Sequence, residues 1–140
     1  MNMKKITLIT GFGLMTTLVP FIASGEPAKA PKEYIAMKNP FKPLPDVLAE
    51  GETIYMDSCK KCHGDKGDGK GSGAKKLDPK PTAFNDKAYM SKRSDGQLFY
   101  ITEKGSPKTD MDAMGPDTDV DLSKDKIWKV ITYIRHTFAK

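Results

Sequence analysis

The chain is poor in the side chains that most chemistry depends on. It has two cysteines, two histidines and one tryptophan in 140 residues. Arg93 and Arg135 are its only arginines. The net charge of +5 therefore rests on lysine. With no Arg-rich or aromatic-interleaved patch, that charge does not make a nucleic-acid surface. No Ser/His/Asp grouping is present to pair a nucleophile with a base. A structural zinc site would need Cys59, Cys62, His63 and His136 together, with His63 crowded against Cys62. No β-α-β pattern surrounds residue 59, so a thioredoxin-like dithiol lacks its usual setting. No stretch alternates convincingly with the period of a strand, and no internal repeat is visible. The expected class is all-α.

Both cysteines are spent on one motif, Cys59-Lys60-Lys61-Cys62-His63. The pattern C-x-x-C-H is the attachment signature of a c-type haem. Two thiols add across the two vinyl groups of one porphyrin, and a two-residue gap lets one helical turn present both sulfurs. The adjoining imidazole is then at hand as proximal ligand to the iron. One motif implies one covalent haem c, held through Cys59 and Cys62.

The first 25 residues have the composition of an export signal. Lys4 and Lys5 precede an uncharged, mostly apolar run from Ile6 to Ala23, and Ala23-Ser24-Gly25 offers small residues for cleavage. A cut near Gly25 is expected, which places the protein in the periplasm. The alternative is an uncleaved leader acting as an anchor, although the run is at the short end of spanning length. The organisation expected is a signal peptide over 1–25, an extended N-terminal segment over 26–44, and one small domain over 45–140. Met37, Phe41 and Leu44 are candidates to pack that segment onto the domain.

Within the domain, Pro45 and Asp46 mark a helix start. That helix runs into the haem motif with Val47, Ile54 and Tyr55 as apolar contacts. Gly51 inside it predicts a close crossing by another helix. Five glycines between His63 and Gly73 make a loop. Its Gly69-Lys70-Gly71-Ser72-Gly73 stretch is not preceded by a strand, as a phosphate-binding loop would be. Ser94-Asp95-Gly96-Gln97 fits a capping box, opening a helix over about 95–104 that stops at Gly105. A last helix follows Ser123, with Ile127, Val130, Ile131, Ile134 and Phe138 at helical spacing and Trp128 and Tyr133 beside them.

A six-coordinate haem needs a ligand opposite His63. Met56 is too near Cys59 to reach the far face. Met37 lies in the N-terminal segment and Met90 in an irregular stretch. Met111 and Met114 lie in the loop between the last two helices. His136, near the end of the last helix, is the alternative nitrogen ligand.

Taken together, these pieces resemble a monohaem class I cytochrome c of the small bacterial periplasmic kind. The resemblance covers about residues 47–138. It rests on Gly51-x-x-x-Tyr55-x-x-x-Cys59-x-x-Cys62-His63-Gly64, on Pro79-x-Pro81-x-x-Phe84, and on Leu98-Phe99-Tyr100-Ile101 leading to Gly105. Met111 and then Leu122-Ser123, opening a helix with Trp128 and Tyr133, complete it. The resemblance implies a cytochrome c fold of three to five helices around one haem, with the N- and C-terminal helices crossing at Gly51. It implies thioethers at Cys59 and Cys62, His63 as proximal ligand, and a backbone carbonyl near Pro81 accepting from the His63 ring. It implies Met111 as sixth ligand from its offset after Gly105. Asp112 stands where the family usually has proline, which keeps Met114 as the alternative.

The function implied is electron transfer rather than catalysis, with a redox donor and acceptor as partners and no small-molecule substrate. Cys59 to Lys80 holds seven lysines, and Asp110 to Asp125 holds six aspartates. Such a dipolar surface would orient encounter with a charged partner at a haem edge flanked by lysines. A monomer or weak dimer is expected. The alternatives are a haem subunit of a larger periplasmic oxidoreductase, docked through residues 26–44, and a haem sensor with a weak sixth ligand.

Overall fold

The computed structural model describes residues 28–140. The leader and its cleavage near Gly25 lie outside those residues. Among the described residues no helix is long and apolar enough to cross a membrane. They are helical, with one isolated antiparallel bridge between Ser106 and Met111.

The chain runs through α1 (Lys32–Ile35), α2 (Pro45–Ile54), α3 (Lys60–His63), α4 (Lys87–Met90), α5 (Asp95–Lys104) and α6 (Lys124–Thr137). Pro45 occupies the first turn of α2 with Asp46 beside it, as their fixed φ and charge favour. A π-helical turn over Tyr55–Cys59 joins α2 to α3. Its wider winding changes which face of the helix the following residues occupy. Ser123 caps α6, its Oγ accepting from Lys126 N at 3.4 Å.

α2 crosses α6 at Gly51. A Cβ there would lie 2.5 Å from the Lys129 carbonyl oxygen and 2.8 Å from Tyr133 Cβ. Only a residue without one lets the two backbones meet. The Lys129 ammonium reaches back across the crossing to Glu50 at 2.6 Å. α6 buries Ile127, Trp128, Val130, Ile131, Tyr133 and Ile134 in the core with Tyr55, Met90, Leu98 and Phe99. Phe138 is half-buried at the edge of this cluster. Arg135 ties α6 to the start of α5. Its Nε donates to Asp95 at 2.9 Å, and its terminal nitrogens donate to the carbonyls of Met90 and Arg93.

Two expectations need correction. The capping box at α5 is only half made. Ser94 Oγ accepts from Gln97 N at 3.1 Å. The Gln97 amide, however, turns to the N-terminal segment, accepting from Ala30 N at 3.2 Å and donating to Ala28 O at 2.5 Å. The Ala30 N–H is buried and needs a partner there. That segment is also not extended throughout, because α1 forms a turn within it. Met37 and Phe41 pack against the core, whereas Leu44 is 54% exposed.

Candidate haem site

A single cavity of about 390 Å³ collects the residues singled out in the sequence. Cys59, Cys62, His63, Pro81, Met111 and Met114 all line it. Both cysteines are free thiols. Burial pushes the Cys59 thiol up to about 12, with the neighbouring Cys62 adding to the effect. Burial thus favours the neutral form of the Cys59 thiol.

His63 is 8% exposed. Its ring stacks on Phe84 with centroids 4.3 Å apart and planes 14° from parallel. Nδ1 lies 3.0 Å from the Thr82 carbonyl oxygen. A carbonyl can only accept, so Nδ1 carries the proton and Nε2 keeps its lone pair. Burial lowers the pKa of His63, and the bond to Thr82 opposes this in part. The result is a neutral, oriented imidazole with one nitrogen available to a metal. The acceptor expected near Pro81 is therefore Thr82, one residue on. Pro81 contributes to the cavity wall, and its own carbonyl faces Gly69.

The loop after α5 carries the two methionines. Ser106 N donates to Met111 O at 2.8 Å, closing a tight turn. Thr109 Oγ1 donates to Ser106 O at 2.7 Å and accepts from Met111 N at 3.2 Å. Met114 is held by its own N–H, which donates to Thr102 O at 3.0 Å. Both methionines remain on the wall, and Met114 also packs against the core. Met90 is fully buried away in that core, and Met56 is 37% exposed. His136 is exposed and does not line the cavity, which removes it as a ligand.

The remaining wall is mostly apolar, with Leu77, Pro79, Leu98, Ile101, Ile131 and Ile134. Sequence reasoning missed Arg93, whose guanidinium stands over the Tyr89 ring at 4.3 Å with both residues on the cavity wall. Its scarcity in the chain was the only available signal. The donor set fits a covalent haem: two thiols and a neutral imidazole on one segment, thioethers on another, and an apolar lining between.

The family model for cytochrome c matches residues 48–138. The chain belongs to the cytochrome c family. Members bind haem c covalently, and here the two cysteines stand at the required spacing. Among solved structures, the chain is similar to the Kuenenia stuttgartiensis reducing HAO-like protein complex Kustc0457/Kustc0458, with 23% identity and a TM-score of 0.59 over 74% of this chain. It spans about half of that structure's chain, 48% of its length. It is also similar to the KustC0563 c-type cytochrome, at 22% identity and a TM-score of 0.49, over 62% of this chain and 95% of that one. At 23% identity the likeness to the first concerns the fold alone. No curated protein sequence matches the chain.

Proposed function

We propose that this cytochrome c is a periplasmic one-electron carrier whose haem iron is held between His63 and Met111. The observation that carries the reading is the shared cavity. Cys59, Cys62 and a pre-oriented His63 face the same space as Met111 and Met114. Haem c, when bound, supplies an iron that gains and loses one electron. The chain's part is to hold two ligands that need not move between oxidation states. The Thr82 carbonyl fixes the His63 tautomer, and the turn closed by Ser106 fixes Met111. The apolar wall excludes water, and Arg93 offers a cation to the carboxylates of a bound haem.

Met111 is preferred over Met114 for its offset from Gly105. Met114 also gives part of its surface to the core. The leader pattern of residues 1–25 supports export, and the lysines at 60 and 61 support an acidic redox partner at the haem edge. Both lysines are exposed, and Lys60 pairs with Asp65 at 2.9 Å. Docking to a larger oxidoreductase through the N-terminal segment has less support, because that segment spends several of its polar groups on α5 and α6.

Intact mass and visible spectra of the exported protein test this. The mass should show one haem and a chain beginning near Glu26. The ferric protein should show a Met–iron charge-transfer band that Met111→Ala abolishes and Met114→Ala retains. An unmodified mass, or carbon monoxide binding to the untreated reduced protein, would refute the carrier.

A further inference from the structure

The N-terminal segment touches α5 and the ligand loop at points the electron-transfer reading leaves unused. It lies directly on α5 at Gly96, where any Cβ would strike the Tyr34 carbonyl. The Tyr34 ring packs on Tyr100 and Phe99, with centroids 4.9 Å and 6.2 Å away. Two lines of contact then run from this segment to the loop bearing Met111.

The first passes through Ser106, which is buried. Its Oγ accepts from Ala28 N at 3.4 Å, and its own N–H donates to Met111 O at 2.8 Å. The Gln97 amide clamps the same stretch at Ala28 and Ala30. The second passes through Glu103, a carboxylate only 5% exposed. Tyr34 Oη donates to Glu103 Oε2 at 2.6 Å. The Glu103 carbonyl accepts from Gly115 N at 3.2 Å, and its Cγ lies where a Cβ on Gly115 would fall, 2.6 Å away. The two lines therefore meet the loop on either side of Met111, at 106 and at 115.

We propose that residues 28–34 buttress the sixth-ligand loop, with Tyr34 and Glu103 as positioning residues for Met111. The inference rests on Met111 being the ligand. A thioether is a weak, neutral ligand, and its hold on iron depends on the loop being kept in place. A buried carboxylate that loses its hydroxyl donor keeps only the Lys104 ammonium, 3.4 Å from the same oxygen, and must shift toward it or take up water. Because the Glu103 Cγ packs against Gly115, movement of that side chain reaches the loop directly. The segment thus contributes to ligation without touching the haem.

The test uses the full-length, haem-loaded protein and added imidazole, which competes with the methionine for ferric iron. Tyr34→Phe keeps the ring and removes the bond. It should raise imidazole affinity about tenfold and weaken the Met–iron band, and Glu103→Gln should act in the same direction. Asn39→Ala serves as the control. It cuts the segment's bonds to Trp128 O at 3.1 Å and Thr132 Oγ1 at 2.9 Å, on α6 rather than the loop. It should lower the melting temperature and leave imidazole affinity unchanged. If Glu103→Gln does not accumulate with haem, Tyr34→Phe decides alone. A Tyr34→Phe protein with wild-type imidazole affinity overturns the inference, as does an equal shift in Asn39→Ala. A wild-type protein lacking the Met–iron band overturns the ligation reading and this inference together.

Discussion

Tyr34 and Tyr55 show how one side chain serves different ends in different surroundings. Tyr55 is fully buried and donates to the Gly64 carbonyl at 2.7 Å, just beyond the haem motif. Burial, above all, raises its pKa. Tyr34 is half-buried, and its bond to Glu103, followed by burial, pushes its pKa up to about 12. A folded-state pKa above the ordinary value of 10.0 means that the folded chain holds this proton more tightly than the unfolded one. The associated stability is complete below the ordinary value and is lost as pH rises through about 12. The urea midpoint of the wild type should therefore fall more steeply than that of Tyr34→Phe across this alkaline window. Parallel curves would sink the assignment. At this scale the sequence was legible where chemistry demands particular side chains at a particular spacing, as at Cys59, Cys62 and His63. It was not legible at Thr82, because a carbonyl acceptor belongs to every residue and only the folded loop selects one. The offset from Gly105 favoured Met111 over Met114 in the sequence, and both end on the same wall.

Among the elements, α2 and α6 depend on each other at one position. Alanine at 51 would favour the helix by about 1 kcal/mol in isolation. Its Cβ would nonetheless meet the Lys129 carbonyl oxygen at 2.5 Å and Tyr133 Cβ at 2.8 Å, both fixed in α6. Overpacking of this kind costs more than propensity returns, so Gly51→Ala should lose about 2 kcal/mol of stability. Thermal denaturation of the haem-loaded protein checks this, and an unchanged or raised melting temperature would contradict it. The helix ends were readable because Pro45, Ser94, Gly105 and Ser123 each meet a backbone need that the residue type announces. The N-terminal segment was not readable in the same way. Its order comes from Gln97, Glu103 and Asn39, whose partners are 67 to 93 residues distant in sequence. No local pattern carries such a pairing.

In the whole molecule the cavity lies beside a packed core and shares residues with it. Leu98 and Ile101 of α5 and Ile131 and Ile134 of α6 line it. Leu98, Ile131 and Ile134 are already buried by the core, so a haem would mainly cover Ile101, a side chain worth about 1.5–3 kcal/mol when buried. A chain in which Cys59 and Cys62 are both replaced by Ala should carry no covalent haem and should melt about 10 °C lower, followed by far-UV circular dichroism. A cooperative transition at the wild-type temperature would show that the chain packs without its cofactor. The crossing of α2 with α6 also has a consequence in time. A polypeptide emerges from the ribosome N-terminus first, so residues 59–63 exist before α5 and α6 have been made. Early in synthesis both thiols lack the walls that later enclose them, and the chain cannot seal the site until its final helix arrives. The long sequence separation between α2 and α6 thus leaves an interval in which both sulfurs are accessible, and closure of the fold then buries Cys59 and leaves Cys62 half-buried.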